Sequence, residues 1–176
     1  KWNPSEKAFL GWERKRGLLT QFNQFLLDPK TNDFRANTLT ENLNKLPHIK
    51  YIITLDADTN LILNSGLELI GAMEHILNKP VVENGIVTEG HGIIQPRIGV
   101  DLQNSFKSEF CRIFAGTSGT DLYTNSISDV YEDNFGEGIF TGKGIYSLDV
   151  FNEVLKNQIP ENTVLSHDLL EGNYLR

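Results

Sequence analysis

The sequence predicts an α/β fold with a mixed, mostly parallel sheet flanked by helices, and three observations carry that expectation. The first is the run Tyr51-Ile52-Ile53-Thr54-Leu55-Asp56-Ala57-Asp58-Thr59, where an apolar, β-branched stretch ends in two carboxylates one residue apart. A continuous apolar run of this length predicts a strand covered on both faces, as in parallel sheets. The second is the mixed order of strand-like and helix-like segments along the chain. The third is the place of the carboxylates, at the C-terminal end of the strand, where open α/β sheets put their ligand crevice.

The elements follow in order. Residues 1–17 are polar and basic around Trp2, Trp12 and Glu13-Arg14-Lys15-Arg16-Gly17. Leu18, Leu19, Phe22, Phe25 and Leu26 recur at a helical period, and Asp28-Pro29 ends that helix. Residues 28–40 are turn-rich, with a short helix expected near 40–46 before Pro47. The strand 49–55 follows, then a helix from Ser65 to Leu77 closed by Asn78-Lys79-Pro80. Residues 85–98 predict one or two short strands ending in Gln95-Pro96-Arg97. An amphipathic helix is expected near 103–114, with Phe106, Phe110, Ile113 and Phe114 on one side. A loop-rich stretch and a glycine-dense run to Tyr146 lead to a helix near 149–157, and Asp168 falls in the first turn of a last helix.

Composition bounds the function classes. A length of 176 residues suits one domain with a real core, and 39% hydrophobic with 22% charged residues is ordinary for a folded soluble chain. The net charge of −7 argues against a general nucleic-acid binder, which needs a net basic surface, but leaves room for a nucleotide. The single cysteine, Cys111, excludes an internal disulfide and an all-cysteine metal site, and its apolar surroundings predict a small core residue. No segment reaches the ~18 apolar residues that span a bilayer, and there is no signal peptide. A start at Lys1 rather than Met, and an end at Tyr174-Leu175-Arg176 in mid-pattern, suggest an excised fragment.

Buried carboxylates need pairing, hydrogen bonds or a metal. Asp56 and Asp58 therefore suit a hard divalent cation, Mg²⁺ or Mn²⁺, and with it a phosphate-bearing substrate. A solvated Asp-x-Asp-Thr turn capping the next helix is the plainer alternative. A calcium loop fails at Leu61, where glycine is required, and at Leu67, where glutamate is. A phosphatase of the aspartyl-phosphate type fits poorly at Asn60. A P-loop fails at Glu137 and Gly144, so the glycines there serve either a close backbone approach to a ligand or a sharp turn. Ser166-His167-Asp168 cannot be a hydrolase relay, because three consecutive side chains do not converge. Asp168 suits a general base or simply a first-turn acid favoured by the helix dipole. His167 suits a supporting group, a metal ligand or a packed histidine, while His48, His75 and His91 lie apart with no ligand spacing. Arg14, Lys15 and Arg16 sit where a helix start prefers anions, a conflict that a bound phosphate would resolve and a solvated charge run would tolerate.

The order of these pieces is more specific than any one of them. It runs from Glu13-Arg14-Lys15-Arg16-Gly17 through the Asp-x-Asp strand, Gln95-Pro96-Arg97, Arg112-Ile113-Phe114 and Ser128-Asp129-Val130-Tyr131. It continues through Phe135-Gly136-Glu137-Gly138 and Phe140-Thr141-Gly142-Lys143-Gly144-Ile145-Tyr146 to the block from Glu161 to Gly172. This constellation resembles a GT-A-type, family-2-like inverting glycosyltransferase, in particular the glycosyltransferase domain of bacterial cyclic β-1,2-glucan synthases, over nearly the whole chain. The resemblance implies a GT-A-like (Rossmann-like) partial domain spanning 1–176. The family's earlier nucleotide-binding strand and later Gln-x-x-Arg-Trp region are not found in it. It implies Asp58 on the metal that bridges the donor diphosphate, Asp56 on the ribose or donor sugar and also near the metal, and Lys15 and Arg16 near the nucleotide. Gly142, Lys143, Gly144 and His167 would line the acceptor side, with Asp168 as general base.

The implied chemistry is a single in-line displacement that inverts UDP-glucose into a β-1,2 linkage on a glucan acceptor, assisted by Mg²⁺ or Mn²⁺. The implied setting is a larger, membrane-embedded bacterial synthase, with this segment on the cytoplasmic face of the inner membrane and inactive alone. Two other readings stand beside it: a processive polysaccharide synthase with another donor or acceptor, and a non-catalytic nucleotide-sugar-binding fragment. Metal-dependent UDP binding separates the first two from a degenerate module.

Overall fold

The computed structural model describes residues 2–4, 6–9, 11, 13–30, 47–99, 101–115, 134–136, 140–161, 163–164 and 167–176. A small hairpin, β1 (Trp2–Asn3) and β2 (Ala8–Phe9), opens the chain, with Trp2 and Phe9 in edge-to-face contact. Helix α1 (Arg14–Leu27) ends at Asp28, because Pro29 cannot continue it. Then come β3 (Tyr51–Thr54), α2 (Ser65–Glu74) and a single 3₁₀ turn at Ile76–Asn78. Strands β4 (Val81–Glu83) and β5 (Ile86–Glu89) form a hairpin about Asn84-Gly85, both with positive φ as a tight hairpin turn requires. Next are β6 (Ile93–Ile94) and the short helices α3 (Leu102–Ser105) and α4 (Glu109–Ala115). The chain closes with β7 (Gly144–Ser147), α5 (Leu148–Leu155) and α6 (Asp168–Leu175).

The central sheet has the order β3-β7-β6, and β7 is buried at all four positions. Successive strand residues face opposite sides, and the two faces bury different partners. Ile145 packs against Leu69 and Met73 of α2, with Tyr51, Ile53 and Ile94 around them. Tyr146 points the other way, into Val87, Ile93, Phe140, Phe151, Val154 and Leu175, with Ile52 joining them. The Tyr146 ring lies 4.3 Å from that of Phe151, and its hydroxyl donates to Asn23 Oδ1 at 2.8 Å, fastening α1 to this layer. Burial, offset by that hydrogen bond, pushes the Tyr146 phenol well above its usual range, so it remains a donor.

The layering is α/β, but the sheet corrects the expected strand direction. Both β3–β7 and β6–β7 are antiparallel, as is each hairpin ladder among the described residues. Over 51–53 the apolar run is packed on both faces, by α2 on one side and α5 with α6 on the other, while Leu55 is exposed, and cover does not specify direction. The helix expected over 103–114 is instead two short pieces, and Phe106, Phe110 and Ile113 are exposed. Cys111 is exposed too, not a core residue, because no described layer covers that face. The helix expected near 40–46 and the block Ser128–Tyr131 lie outside the described residues. No helix among the described residues is long and apolar enough to cross a membrane.

Candidate functional site

The register of β3 against β7 builds the site. Thr54 pairs with Gly144, so the two chains leave the sheet in opposite directions past one another. That brings Leu55-Asp56 alongside Lys143 and Gly142. Lys143 Nζ donates to Asp56 Oδ2 at 2.8 Å and to the Thr141 carbonyl at 3.2 Å. Lys15, in the first turn of α1, donates to Asp56 Oδ1 at 2.6 Å and to the Gly142 carbonyl at 2.5 Å. Each oxygen of Asp56 thus accepts from a different ammonium. Lys143 and then Lys15 hold the Asp56 carboxyl below its ordinary range, against a smaller upward push from burial.

Gly142 is where the loop meets α6. Its φ is +79°, and a Cβ there would lie 2.8 Å from Asp168 Oδ1 and 3.3 Å from Lys15 Nζ. A side chain would fill the space that Asp168, Lys15 and Lys143 surround. Gly144 has a different role: a Cβ on it would lie 2.3 Å from the Ile94 carbonyl oxygen, so it lets β6 and β7 approach rather than lining the site. Gln95 holds the loop in place, its Oε1 accepting from the Thr141 N–H at 2.7 Å and the Thr141 hydroxyl at 2.8 Å. The sequence flagged the Gln95-Pro96-Arg97 segment but gave Gln95 no such role, which depends on a fold contact across 46 residues.

Four separate segments therefore bring together Lys15, Asp56, Gly142, Lys143 and Asp168. Asp58 stands apart on the exposed rim beyond Asp56. Arg16 turns away from the cluster, donating to Glu13 Oε2 at 2.5 Å and the Ile159 carbonyl at 2.6 Å. With Glu13, Asn23 and Glu171 it lines a cleft of about 240 Å³ between α1 and α5. Ser166 is not among the described residues. His167 is buried, with Nδ1 2.9 Å from Glu171 Oε1 and 3.7 Å from Asp168 Oδ1. Glu171 is 1% exposed, and that burial raises its carboxyl above the ordinary range despite the hydrogen bond to His167.

The arrangement has chemical consequences. Two ammoniums and the carboxylates of Asp56 and Asp168 surround an open backbone turn, so their charges balance, and the lysines supply the donors that phosphate oxygens could accept from. Asp58 offers a hard divalent ion a single exposed carboxylate, so substrate phosphates and water would have to supply the rest of its shell. The ion fits less well at Asp56, where it would have to displace a lysine.

No family model matches the chain. It is 42% identical over 99% of its length to the cyclic beta-(1,2)-glucan synthase NdvB of Rhizobium meliloti (strain 1021). The chain spans 6% of the length of that relative. This segment and a segment of that synthase are thus related from end to end.

Proposed function

We propose that this segment is part of a GT-A-like glycosyltransferase domain that transfers glucose from UDP-glucose to a growing β-1,2-glucan. The meeting of Lys15, Asp56, Lys143 and Asp168 around Gly142 carries the proposal, because it joins lysine donors for a diphosphate to a carboxylate base. Relationship to a segment of a cyclic β-1,2-glucan synthase supports the choice of sugar and linkage.

In this reading Lys15 and Lys143 stabilise the negative charge that builds on the departing UDP, and Asp56 fixes both ammoniums in place. Asp56 would also meet the ribose or the donor sugar. Asp58 would hold Mg²⁺ or Mn²⁺, which would supply Lewis-acid stabilisation of the diphosphate charge. Asp168 takes the proton from the acceptor O2 as that oxygen attacks the anomeric carbon from the face opposite UDP. One displacement inverts the α-linked donor to a β-linked product. Gly142 leaves room for the acceptor beside Asp168. Arg16 supports the nucleotide side only through α1 itself, since its guanidinium is engaged elsewhere. The parent protein is a membrane-embedded bacterial synthase, with this segment on the cytoplasmic face of the inner membrane.

The test is Asp168→Asn in the intact synthase, with transfer from radiolabelled UDP-glucose followed beside UDP binding. A general base supplies about 10²- to 10⁴-fold, so transfer should fall by that much while UDP binding is kept. Near-normal transfer would remove Asp168 from the base role.

A further inference from the structure

We propose that His167, Asp168 and Glu171 form a binding site for a borderline divalent cation, Zn²⁺ by its donor set, separate from the Asp58 rim. One ligand atom from each residue lies within 4.8 Å of the others. Two ligands about 2.0–2.1 Å from a tetrahedral ion stand about 3.3 Å apart. The observed separations of His167 Nδ1 from Glu171 Oε1 and Asp168 Oδ1, 2.9 and 3.7 Å, bracket that value, the first being a hydrogen bond whose proton the ion would displace to solvent. His167 and Glu171 are four residues apart at the start of α6, so they share a face of the helix.

A second observation points into the same place. Asp168 Oδ1 and Glu171 Oε2 are both buried with no hydrogen-bond partner, and Glu171 is almost wholly enclosed. A buried carboxylate oxygen without a partner is costly, and a cation beside His167 Nδ1 would satisfy Asp168 Oδ1, which lies 3.7 Å from it. The nearby side-chain cations are engaged with other groups. Arg16 is bound to Glu13 and the Ile159 carbonyl, and Lys15 to Asp56 and the Gly142 carbonyl. One imidazole with two carboxylates suits Zn²⁺, whereas Mg²⁺ prefers a shell of oxygens. The site requires neither donor nor acceptor, so it stands apart from the transferase reading. Where that reading holds, Zn²⁺ on Asp168 competes with its role as base.

The test titrates Zn²⁺ into the full chain at pH 7.5 with excess Mg²⁺ present, by calorimetry, with Co²⁺ as a spectroscopic substitute. One equivalent of Zn²⁺ should bind, raise the melting temperature and survive Asp58→Ala. Binding should weaken at least about tenfold in Glu171→Gln and in His167→Asn, with circular dichroism of the metal-free variants checking their fold. Co²⁺ should give the intense visible bands of a low-coordinate site with nitrogen ligation, a reading on the unaltered chain that holds even where a variant does not fold. No saturable uptake up to ~1 mM Zn²⁺ would overturn the proposal. So would uptake that survives both cluster variants, uptake lost with Asp58→Ala, or the weak Co²⁺ bands of an all-oxygen octahedral shell. Loss of UDP binding in Asp58→Ala with Zn²⁺ uptake kept would separate the two sites.

Discussion

Asp56 shows how far one residue can be read from sequence alone. Its place after an apolar strand marked it as a site carboxylate, but its lysine partners come from 41 residues before it and 87 after it. No local pattern announces such pairings. They set a pH dependence whose sign follows from the lowered folded-state pKa. A depressed carboxyl stabilises the fold at pH values above its unfolded pKa, and that stabilisation fades as pH falls through the folded value. Asp56→Asn should therefore flatten the fall in stability below about pH 4, as measured by urea unfolding from pH 5 to pH 2. Glu171 has the opposite sign, since burial raises its pKa and its contribution weakens as pH rises through the shifted value. Gly142 makes a third case at this scale. Gly142→Ala would put a methyl at positive φ against Asp168, so it should cost more than ~1 kcal/mol in denaturant unfolding. An unchanged midpoint would mean that the loop moves aside easily.

At the scale of elements, period and composition found most helices and the key strand but not how they pair. The expected helix over 18–27 proved four residues longer at its start, and the strand over 49–55 is present as β3. Their signals are local: a helical period closed by Asp28-Pro29, and an apolar run. Asn84-Gly85 is a hairpin signal of the same local kind, but the expectation of strands over 85–98 began inside that turn and so missed β4. Strand direction is not local, because the partner of β3 lies some 90 residues on and a doubly covered strand has the same apolar pattern in either direction. The exposure of Phe106, Phe110 and Ile113 is likewise hidden, since a helical stripe shows which side is apolar and not whether anything covers it. The middle strand makes the sharpest energetic prediction. Ile145 is wholly buried between α2 and its flanking strands, so Ile145→Ala should cost about 2–5 kcal/mol in equilibrium unfolding. A loss below ~1 kcal/mol would mean that this layer collapses around the gap.

On the scale of the whole molecule, the fold brings N-terminal, central and C-terminal segments to one small volume around Gly142. The linear order of motifs suggested such a meeting, and the antiparallel register of β3 with β7 is what produces it. The two lysines in that volume should be worth a charge-assisted hydrogen bond each to a bound diphosphate, about 1.5–3 kcal/mol. Lys15→Met or Lys143→Met should then weaken UDP binding by roughly 10- to 100-fold in calorimetry. Equal affinity in all three proteins would place the nucleotide elsewhere. The proposed transferase depends most directly on metal-assisted binding of a diphosphate beside this cluster. Titrating UDP into the chain with Mn²⁺ and again with excess chelator, for the unaltered sequence and for Asp58→Ala, measures that dependence. The account predicts binding that requires Mn²⁺ and falls at least about tenfold in Asp58→Ala. UDP affinity unchanged by the chelator, or by Asp58→Ala, would contradict it.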